Sequence, residues 1–195
     1  MLGSLVVVYF STIEPQAPAT PVVVEVPHAG LMVDPLSLAT LAAPARSLGR
    51  DADLYVDQLY QAAPQLGASM LVAHLSRYVC DLNRSEHDID SRAAEGGTAT
   101  SAPHGLVWRT TTEDRPALLA PLSRNELARR LDEIYRPYHQ KLTELIEDKK
   151  RRFGFAILLC AHSMPSYGRA GHSDPGQARA DVVPGTRGGG VRSLP

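Results

Sequence analysis

The fold is decided by the stretch Val22-Val23-Val24-Glu25-Val26-Pro27-His28-Ala29-Gly30. Its first five residues are mostly β-branched and apolar, a pattern typical of a short strand that is buried on both faces in a parallel sheet. The proline and the glycine that follow predict a turn. We therefore expect a strand over 22–26 and, directly after it, a turn that carries a histidine.

Other apolar runs and turn residues extend this pattern along the chain. Ser123 and Glu126 form a capping box that opens a long helix, which Pro137 should kink and Gly154 should end. Residues 85–122 are polar, and long loops of this kind are usually functional or disordered. In chain order, the predicted elements are strands at 5–10 and 22–26, helices over 36–48 and 51–66 (the second ended by Gly67), a strand from 70 to 73, the long helix, a strand over 155–160 and a strand-like fragment at 181–183.

The alternation of strands and helices predicts an α/β fold with a mostly parallel sheet and helices on its faces. In such sheets, ligands bind beyond the carboxyl ends of the strands. His28, His162 and the segment 77–84 all follow predicted strands directly. These three features are therefore the first candidates for a ligand site.

Composition excludes several classes of function. The net charge is −1 over 195 residues, so no basic field favours nucleic acid or an anionic membrane surface. No apolar run approaches the ~20 residues that span a bilayer, and the apolar start lacks the features of a signal peptide. Cys80 and Cys160 lie in apolar surroundings, which favours thiols in a reducing cytoplasm over a disulfide. We expect a cytoplasmic protein whose residues 1–195 form one domain.

Two histidines are candidate metal ligands. Neutral imidazole binds zinc well, and a strand end holds His28 and His162 rigidly while leaving each open to solvent. A single histidine in such a place is more often structural, and spacing alone leaves both interpretations open for the pair. Asp51 or Asp53 would complete a His/carboxylate/His set, although acids at the start of a helix also simply favour the helix dipole.

The segment 77–84 carries two arginines, an aspartate and an asparagine. A guanidinium group binds carboxylates bidentately, so Arg77 and Arg84 are candidates for holding an anionic substrate. Asp81 can fix an arginine, and the amide of Asn83 can donate to a carboxylate. The alternative is a surface salt-bridge cluster, but the apolar residues between the charges indicate partial burial, where charges must be paired.

The remaining histidines are weaker candidates. His139 lies in the long helix, where it is either structural or able to reach the site. His74 lies in or beside a strand, and His87 and His104 lie in the long loop. The sequence has no cysteine pair with zinc-binding spacing, no Gly-x-Ser-x-Gly elbow and no phosphate loop.

Taken together, five segments of the chain resemble the N-formylglutamate amidohydrolase family. They occur in family order and cover nearly the whole chain. The segment 77–84 is also similar to an element of aspartoacylases and succinylglutamate desuccinylases that holds the carboxylates of an N-acyl amino acid. The five segments are Val26-Pro27-His28-Ala29-Gly30, Asp51 to Tyr60, Ser76 to Arg84, Arg136-Pro137-Tyr138-His139 and Ala161-His162-Ser163-Met164-Pro165-Ser166.

The resemblance implies a three-layer α/β/α fold like that of the zinc carboxypeptidases, with a mixed central sheet. It also implies metal-dependent hydrolysis of the amide of a small carboxylated N-acyl amino acid such as N-formylglutamate. The implied roles are Zn²⁺ binding by His28, His162 and Asp53 (Asp51 being the less favoured acid), substrate binding by Arg77, Asn83 and Arg84 with Asp81 bracing an arginine, and catalysis by Arg77, with His139 as a further candidate.

Two departures from the family pattern predict that this chain hydrolyses its substrate poorly or not at all. Cys160 stands where the family usually has an aspartate, two residues before the second histidine. The family also continues beyond 181–188 into further strands, one of which carries a glutamate that acts as general acid and base. We therefore expect a C-terminally truncated domain, whose exposed sheet edge favours a homodimer. The alternative function is a catalytically impaired, metal- or carboxylate-binding remnant of the same fold.

Overall fold

The computed structural model describes residues 7–97, 103–169 and 173–185. The chain divides into two compact units, Met1–Ser163 and Met164–Pro195, so the single domain over 1–195 stays a prediction. The elements, all in the first unit, are β1 (Phe10–Ile13), β2 (Val22–Val26), α1 (Pro35–Leu38), α2 (Ala45–Asp51), α3 (Val56–Leu59), a 3₁₀ turn (Pro64–Leu66), β3 (Ser69–Ala73), α4 (Arg124–Arg130), a π-helical turn (Leu131–Tyr135), α5 (Arg136–Phe153) and β4 (Ile157–Cys160).

The four strands form one mixed sheet in the order β1-β3-β2-β4. β2 is parallel to β3 and to β4, whereas β1 is antiparallel to β3. The predicted α/β class with a mostly parallel sheet is therefore confirmed. Because parallel strands end at the same edge, the turn after β2, the segment after β3 and His162 after β4 all leave the sheet on one side.

Apolar clusters lie on both faces of this sheet. On one face, Val23 and Leu71 pack in a buried cluster with the apolar side chains of α5. On the other face, Val24 and Met70 pack against Val56 of α3. Side chains along a strand alternate between faces, so the continuous apolar run of β2 supplies both clusters.

The prediction of two long helices, over 36–48 and 51–66, is wrong, because non-helical residues interrupt each of these stretches. After α1, Leu41 pairs with Leu118 of the long loop in an isolated β-bridge, which takes the chain out of the helix. After α2, Ala52 is extended and Tyr55 adopts a left-handed conformation with φ of 67°. Tertiary pairing and a local turn therefore override the apolar periodicity.

The interruption between α2 and α3 has a consequence for the candidate site. The backbone N–H of Asp53 donates to the carbonyl oxygen of His28 at 3.0 Å. A continuous helix would point this N–H along its own axis. The break therefore ties Asp53 to the turn that follows β2.

The turn after β2 is also held by a close backbone approach. A Cβ atom added at Gly30 would lie 2.2 Å from the carbonyl carbon of His74. The next part of the turn is fixed by Met32, whose N–H donates to the carbonyl oxygen of His74 at 2.9 Å. Glycine is therefore required at position 30 for the turn to pack beside the end of β3.

The long helix begins and ends as predicted, with a local change in its middle. The Ser123 hydroxyl oxygen accepts from the N–H of Glu126 at 3.2 Å, and Gly154 ends α5 with φ of 79°. The π-helical turn lies just before Pro137, which has no N–H to donate to the preceding turn of the helix. The predicted kink therefore takes the form of a widened turn.

The carboxylate of Glu126 does not complete the capping box, because it binds two arginines of its own helix. One of these, Arg130, is fully buried. Its guanidinium group donates to Glu126 at 2.8 Å, to the carbonyl oxygen of Val79 at 2.8 Å and to the hydroxyl of Thr40 at 2.7 Å. Arg130 therefore fixes the start of the long helix against the segment that leads to Asp81.

Among the described residues, β4 lies at one edge of the sheet, and its Ile157, Leu158 and Leu159 are exposed. No observation tests pairing with a second copy, so the homodimer stays a prediction.

Four further expectations concern the cysteines, membrane spans and two predicted strands. Cys80 and Cys160, which the structure both describes, form no disulfide. No helix in the described part of the chain is long and apolar enough to cross a bilayer. The prediction of a strand-like fragment at 181–183 is wrong, since these residues form no strand and Val182 is exposed. For the first predicted strand, residues 5 and 6 lie outside the described ranges, and β1 begins only at Phe10.

Candidate metal centre

Three side chains that the sequence analysis singled out converge at the carboxyl edge of the sheet. Nδ1 of His28 lies 3.3 Å from Nδ1 of His162. Oδ2 of Asp53 lies 2.9 Å from Nδ1 of His162 and 3.6 Å from Nδ1 of His28. One ligand atom from each residue thus faces a shared point, and all lie within 4.8 Å of one another. We call these three residues the metal trio.

The metal trio fits a tetrahedral divalent ion. Zinc binds histidine nitrogen and carboxylate oxygen at about 2.1 Å, so neighbouring ligand atoms of a tetrahedral site lie roughly 3.4 Å apart. The three separations, 2.9, 3.3 and 3.6 Å, bracket this value. Two imidazoles and one carboxylate also match the donor set of catalytic zinc sites, which keep a fourth position for water.

A buried carboxylate holds the far side of His28. Nε2–H of His28 donates to Oδ1 of Asp81 at 2.7 Å, and both side chains are 1% exposed. Since the proton is on Nε2, the lone pair of Nδ1 faces Asp53 and His162. Metal-binding histidines are commonly oriented by a carboxylate in this way.

Asp81 makes three further contacts. Its Oδ1 accepts from the N–H of Asn83 at 3.0 Å, and its Oδ2 accepts from the indole N–H of Trp108 at 2.9 Å. Nε of Arg77 lies 3.5 Å from the same Oδ2 as an ion pair, without hydrogen-bond geometry. Asp81 thus lies beside an arginine, as the sequence analysis suggested, but its shortest contact is with His28.

The outer side of His162 is in contact with two polar groups. Its Nε2 lies 3.3 Å from Sγ of Cys160 and 3.2 Å from the side-chain amide of Asn83. These groups occupy the position that Asp81 occupies for His28. The two histidines therefore differ in what contacts the ring nitrogen that faces away from the metal trio. For His28 it is a buried carboxylate, and for His162 it is a thiol and an exposed amide.

Arg77 lies beside the metal trio. Its Nη2 lies 2.6 Å from Nδ1 and 3.1 Å from Nε2 of His28, so a metal ion bound at Nδ1 would displace it. Its Nη1 donates to the carbonyl oxygen of Asp51 at 3.0 Å. The guanidinium carbon is 4.8 Å from the centre of the Trp108 ring, a distance at which a cation is attracted to the π face. Because the side chain is partly exposed, a positive charge borders the site on its open side.

The carboxylate of Asp51 points to the long loop instead of the metal trio. It accepts hydrogen bonds from the hydroxyl of Tyr78 and from the N–H and hydroxyl of Thr112. Of the two acids that the sequence left as alternatives, the structure brings Asp53 to the histidines, whereas Asp51 binds Thr112 of the long loop and Tyr78.

Burial and hydrogen bonding set the charges of the site. Burial alone would raise the pKa of Asp53, but the hydrogen bond to His162 and the nearby His28 hold it far below its ordinary range. Burial likewise opposes ionisation of Asp81, but the hydrogen bond to His28 lowers its pKa. Burial disfavours the charged form of His28, yet the neighbouring carboxylates of Asp53 and Asp81 raise its pKa. Both carboxylates are therefore ionised at neutral pH, which favours a cation at the metal trio.

Comparison with known proteins identifies the family of this chain. The family model of N-formylglutamate amidohydrolase matches residues 20–194. The chain belongs to the N-formylglutamate amidohydrolase family. N-formylglutamate deformylases of Pseudomonas aeruginosa and Pseudomonas putida are each 39% identical to it over 150 residues, which is 75% of this chain and 53% of each relative. The chain thus spans about half the length of these relatives.

Two solved structures are similar to this member of the family. N-formylglutamate amidohydrolase from Ralstonia eutropha superposes with a TM-score of 0.74 at 30% identity, covering 82% of this chain and 59% of that one. A gene product of Agrobacterium tumefaciens superposes with a TM-score of 0.61 at 19% identity, covering 88% and 60%, which shows a shared fold alone.

Two predicted site residues lie apart from the metal trio of this family member. Arg84 is exposed and follows Asn83 directly in the chain. His139 stacks on Tyr135 with ring centres 4.2 Å apart, and burial lowers its pKa. Its Nε2 is buried without a hydrogen-bond partner among the described residues. The catalytic role of His139 and the substrate role of Arg84 stay predictions.

Trp108 is the residue of this site that sequence reasoning missed. It is buried and contacts both Asp81 and Arg77. The sequence offered one signal, since a lone tryptophan in a polar loop needs a partner for its N–H when it is buried. That signal named no partner, because Trp108 and Asp81 are 27 residues apart in sequence.

Proposed function

We propose that this chain carries the metal centre of a cytoplasmic, metal-dependent amidohydrolase that releases formate from N-formylglutamate. The observation that carries the proposal is the metal trio, because the separations of His28 Nδ1, His162 Nδ1 and Asp53 Oδ2 suit one tetrahedral ion. The names of the deformylase relatives supply the substrate. The proposed fold is the three-layer arrangement of the zinc carboxypeptidases.

The proposed metal is Zn²⁺, held by the metal trio. A bound zinc ion activates water near neutral pH and polarises the carbonyl of the scissile amide. Asp53 and the two histidines fix the position at which this chemistry takes place. Asp81 keeps the Nδ1 lone pair of His28 directed at that position.

Substrate binding is assigned to the positive and polar groups at the open side. N-formylglutamate carries two carboxylates, and a guanidinium group holds a carboxylate with two parallel hydrogen bonds. Arg84 is exposed and next to Asn83 in the chain, and Arg77 borders the metal trio. The side-chain amide of Asn83, 3.2 Å from His162, is placed to donate to a substrate oxygen. These contacts would orient the formyl group toward the metal trio.

The experiment that tests this function is a formate-release assay on the metal-free and the zinc-loaded chain. N-formylglutamate is the substrate, and N-formylleucine, which lacks the second carboxylate, is the matched comparison. We expect at most slow release, because Cys160 departs from the family pattern; this release should require zinc, be faster with N-formylglutamate and be abolished in Asp53→Asn.

Two other outcomes would change the proposal. Zinc binding with no release above the uncatalysed rate would favour the alternative, a metal-binding remnant of the fold. Formate release that persists in the metal-free protein would contradict metal dependence.

A further inference from the structure

Trp108 is held in one orientation by its surroundings. It is 4% exposed and lies in a buried aromatic cluster, with the Tyr78 ring edge-on at 5.4 Å and the His104 ring stacked at 4.3 Å. An isolated β-bridge joins its backbone to His104. Because the ring is packed on several sides, its N–H points in a fixed direction, and that direction is toward Asp81.

The Trp108 N–H occupies the one oxygen of Asp81 that His28 does not use. Oδ1 accepts from His28 at 2.7 Å, and Oδ2 accepts from Trp108 at 2.9 Å. A carboxylate that accepts a directional hydrogen bond on each oxygen cannot rotate without losing one of them. Without the indole N–H, Oδ2 would keep only the ion pair with Arg77, which is 3.5 Å away and lacks hydrogen-bond geometry.

We propose that Trp108 is a positioning residue for the metal centre, acting through Asp81 on His28. The proposal rests on the function proposed above, because it takes Nδ1 of His28 to be a metal ligand. Trp108 donates to Asp81, Asp81 accepts the Nε2 proton of His28, and Nδ1 of His28 is thereby presented to the ion. The long loop over 103–122 therefore contributes to metal affinity without supplying a ligand.

The chain offers a closely matched control within the same aromatic cluster. The hydroxyl of Tyr78 also donates to a buried carboxylate, but that carboxylate belongs to Asp51, which faces the long loop and not the metal trio. Trp108→Phe and Tyr78→Phe each delete one buried donor and keep an aromatic ring. A role in folding alone predicts similar effects of both changes on stability and none on metal affinity.

The test is zinc affinity, measured by competition with a chromophoric chelator on the full chain. We expect Trp108→Phe to weaken zinc binding about 10- to 100-fold, the usual effect of losing such an outer partner of a metal ligand. Tyr78→Phe should bind zinc as the unchanged protein does. Equal affinities for Trp108→Phe and the unchanged protein would overturn the proposal for Trp108 while leaving the metal centre intact. Absence of zinc binding by the unchanged protein would overturn the metal centre, and this inference with it.

A second replacement covers the case in which Trp108→Phe fails to fold. Trp108 is the only tryptophan of the chain, so biosynthetic incorporation of benzothienylalanine, which has sulfur in place of the indole N–H, changes this position alone. The ring shape is kept and only the donor is lost. The same 10- to 100-fold loss supports the proposal, and unchanged affinity overturns it.

The single tryptophan also supplies a spectroscopic readout that a purely structural role would leave unchanged. Zinc at the metal trio changes the charge carried by His28, and that change reaches the indole through Asp81. We expect the Trp108 emission to shift saturably and to reach its end point at one zinc per chain. Emission that stays constant while chelator competition shows zinc binding would contradict the coupling.

Discussion

Nε2 of His28 and Oδ1 of Asp81 are 2.7 Å apart, and both side chains are almost completely buried. A buried carboxylate is costly unless it is hydrogen-bonded, and Asp81 is satisfied largely by this histidine and by Trp108. The pair fixes which nitrogen of His28 carries the proton. The metal-facing geometry of Nδ1 is therefore a consequence of a contact on the opposite side of the ring.

Replacing Asp81 by asparagine tests this relationship. An amide is a weaker acceptor for the Nε2 proton, and its NH₂ group can face the ring nitrogen and favour the wrong tautomer. We expect Asp81→Asn to weaken zinc binding about 10- to 100-fold by chelator competition. Asp90→Asn is the control, since Asp90 is equally buried but pairs with Arg92 and Arg109. Similar affinity losses in both variants would show a general effect of deleting a buried charge.

The pH dependence of zinc binding follows from the raised pKa of His28. Protons compete with the metal for Nδ1 of His28, so below this pKa the apparent affinity should fall by at least about tenfold per pH unit, and above it the contribution of His28 should level off. His87→Asn, which changes an exposed histidine, is the control and should leave the curve unchanged. A zinc affinity that is constant from about pH 5 to pH 8 would contradict coordination by His28.

The stability of the metal-free protein should show the opposite slope. The protonated form of His28 is stabilised by Asp53 and Asp81. A raised pKa in the folded state means that this stabilisation is fully present below the ordinary histidine pKa of about 6.5 and is lost as the pH rises through the raised value. Thermal denaturation of the metal-free protein across this range checks the sign, because His28→Asn should remove the slope.

The contact on the outer side of His162 should become stronger when an aspartate replaces Cys160. Sγ of Cys160 is 3.3 Å from Nε2, and a carboxylate is a stronger acceptor than a thiol. Cys160→Asp should therefore tighten zinc binding.

A second substitution is needed for the full effect. Glu25 is buried and is the register partner of Cys160 on β2, so an aspartate at position 160 would lie beside another carboxylate. We expect the full gain, about tenfold, only in Cys160→Asp combined with Glu25→Gln. A double variant that binds zinc no better than the unchanged protein would contradict the assigned role of position 160.

Arg84→Lys tests the substrate contacts separately from the metal. Lysine keeps the charge but cannot make two parallel hydrogen bonds to a carboxylate. We expect calorimetric titration with N-formylglutamate to give affinity about tenfold weaker, a loss of about 1.4 kcal/mol, with zinc binding unchanged. Arg92→Lys is the control, because Arg92 is an exposed arginine that pairs with Asp90. If Arg84→Lys binds the ligand as tightly as the control does, Arg84 is not part of the substrate site.

The sequence predicted β2, β3 and β4 and the proximity of His28 and His162 for a definite physical reason. β-branched runs such as Val22–Val26 specify buried strands, and parallel pairing brings their carboxyl ends to one edge. Residues that follow those strands directly must therefore lie near one another. Local chemistry and strand direction were enough to place the two histidines.

The contacts that decide between Asp51 and Asp53 were beyond the reach of sequence patterns. They depend on the left-handed Tyr55, and on Thr112 and Tyr78, which bind the carboxylate of Asp51. Apolar periodicity continued through this region and predicted a helix, because it carries no information about a loop that binds from elsewhere in the chain. The contact of Asp81 with His28 was missed for the same reason, since it joins residues 53 apart in sequence.

The most direct test of the account is the zinc content of the purified chain. Elemental analysis of the unchanged protein should give one zinc per chain, and His28→Ala, His162→Ala and Asp53→Ala should each bind far less under the same conditions. His87→Ala, which alters an exposed histidine, should keep the full content. Full zinc occupancy in both His28→Ala and His162→Ala would contradict the metal centre on which the proposed function depends.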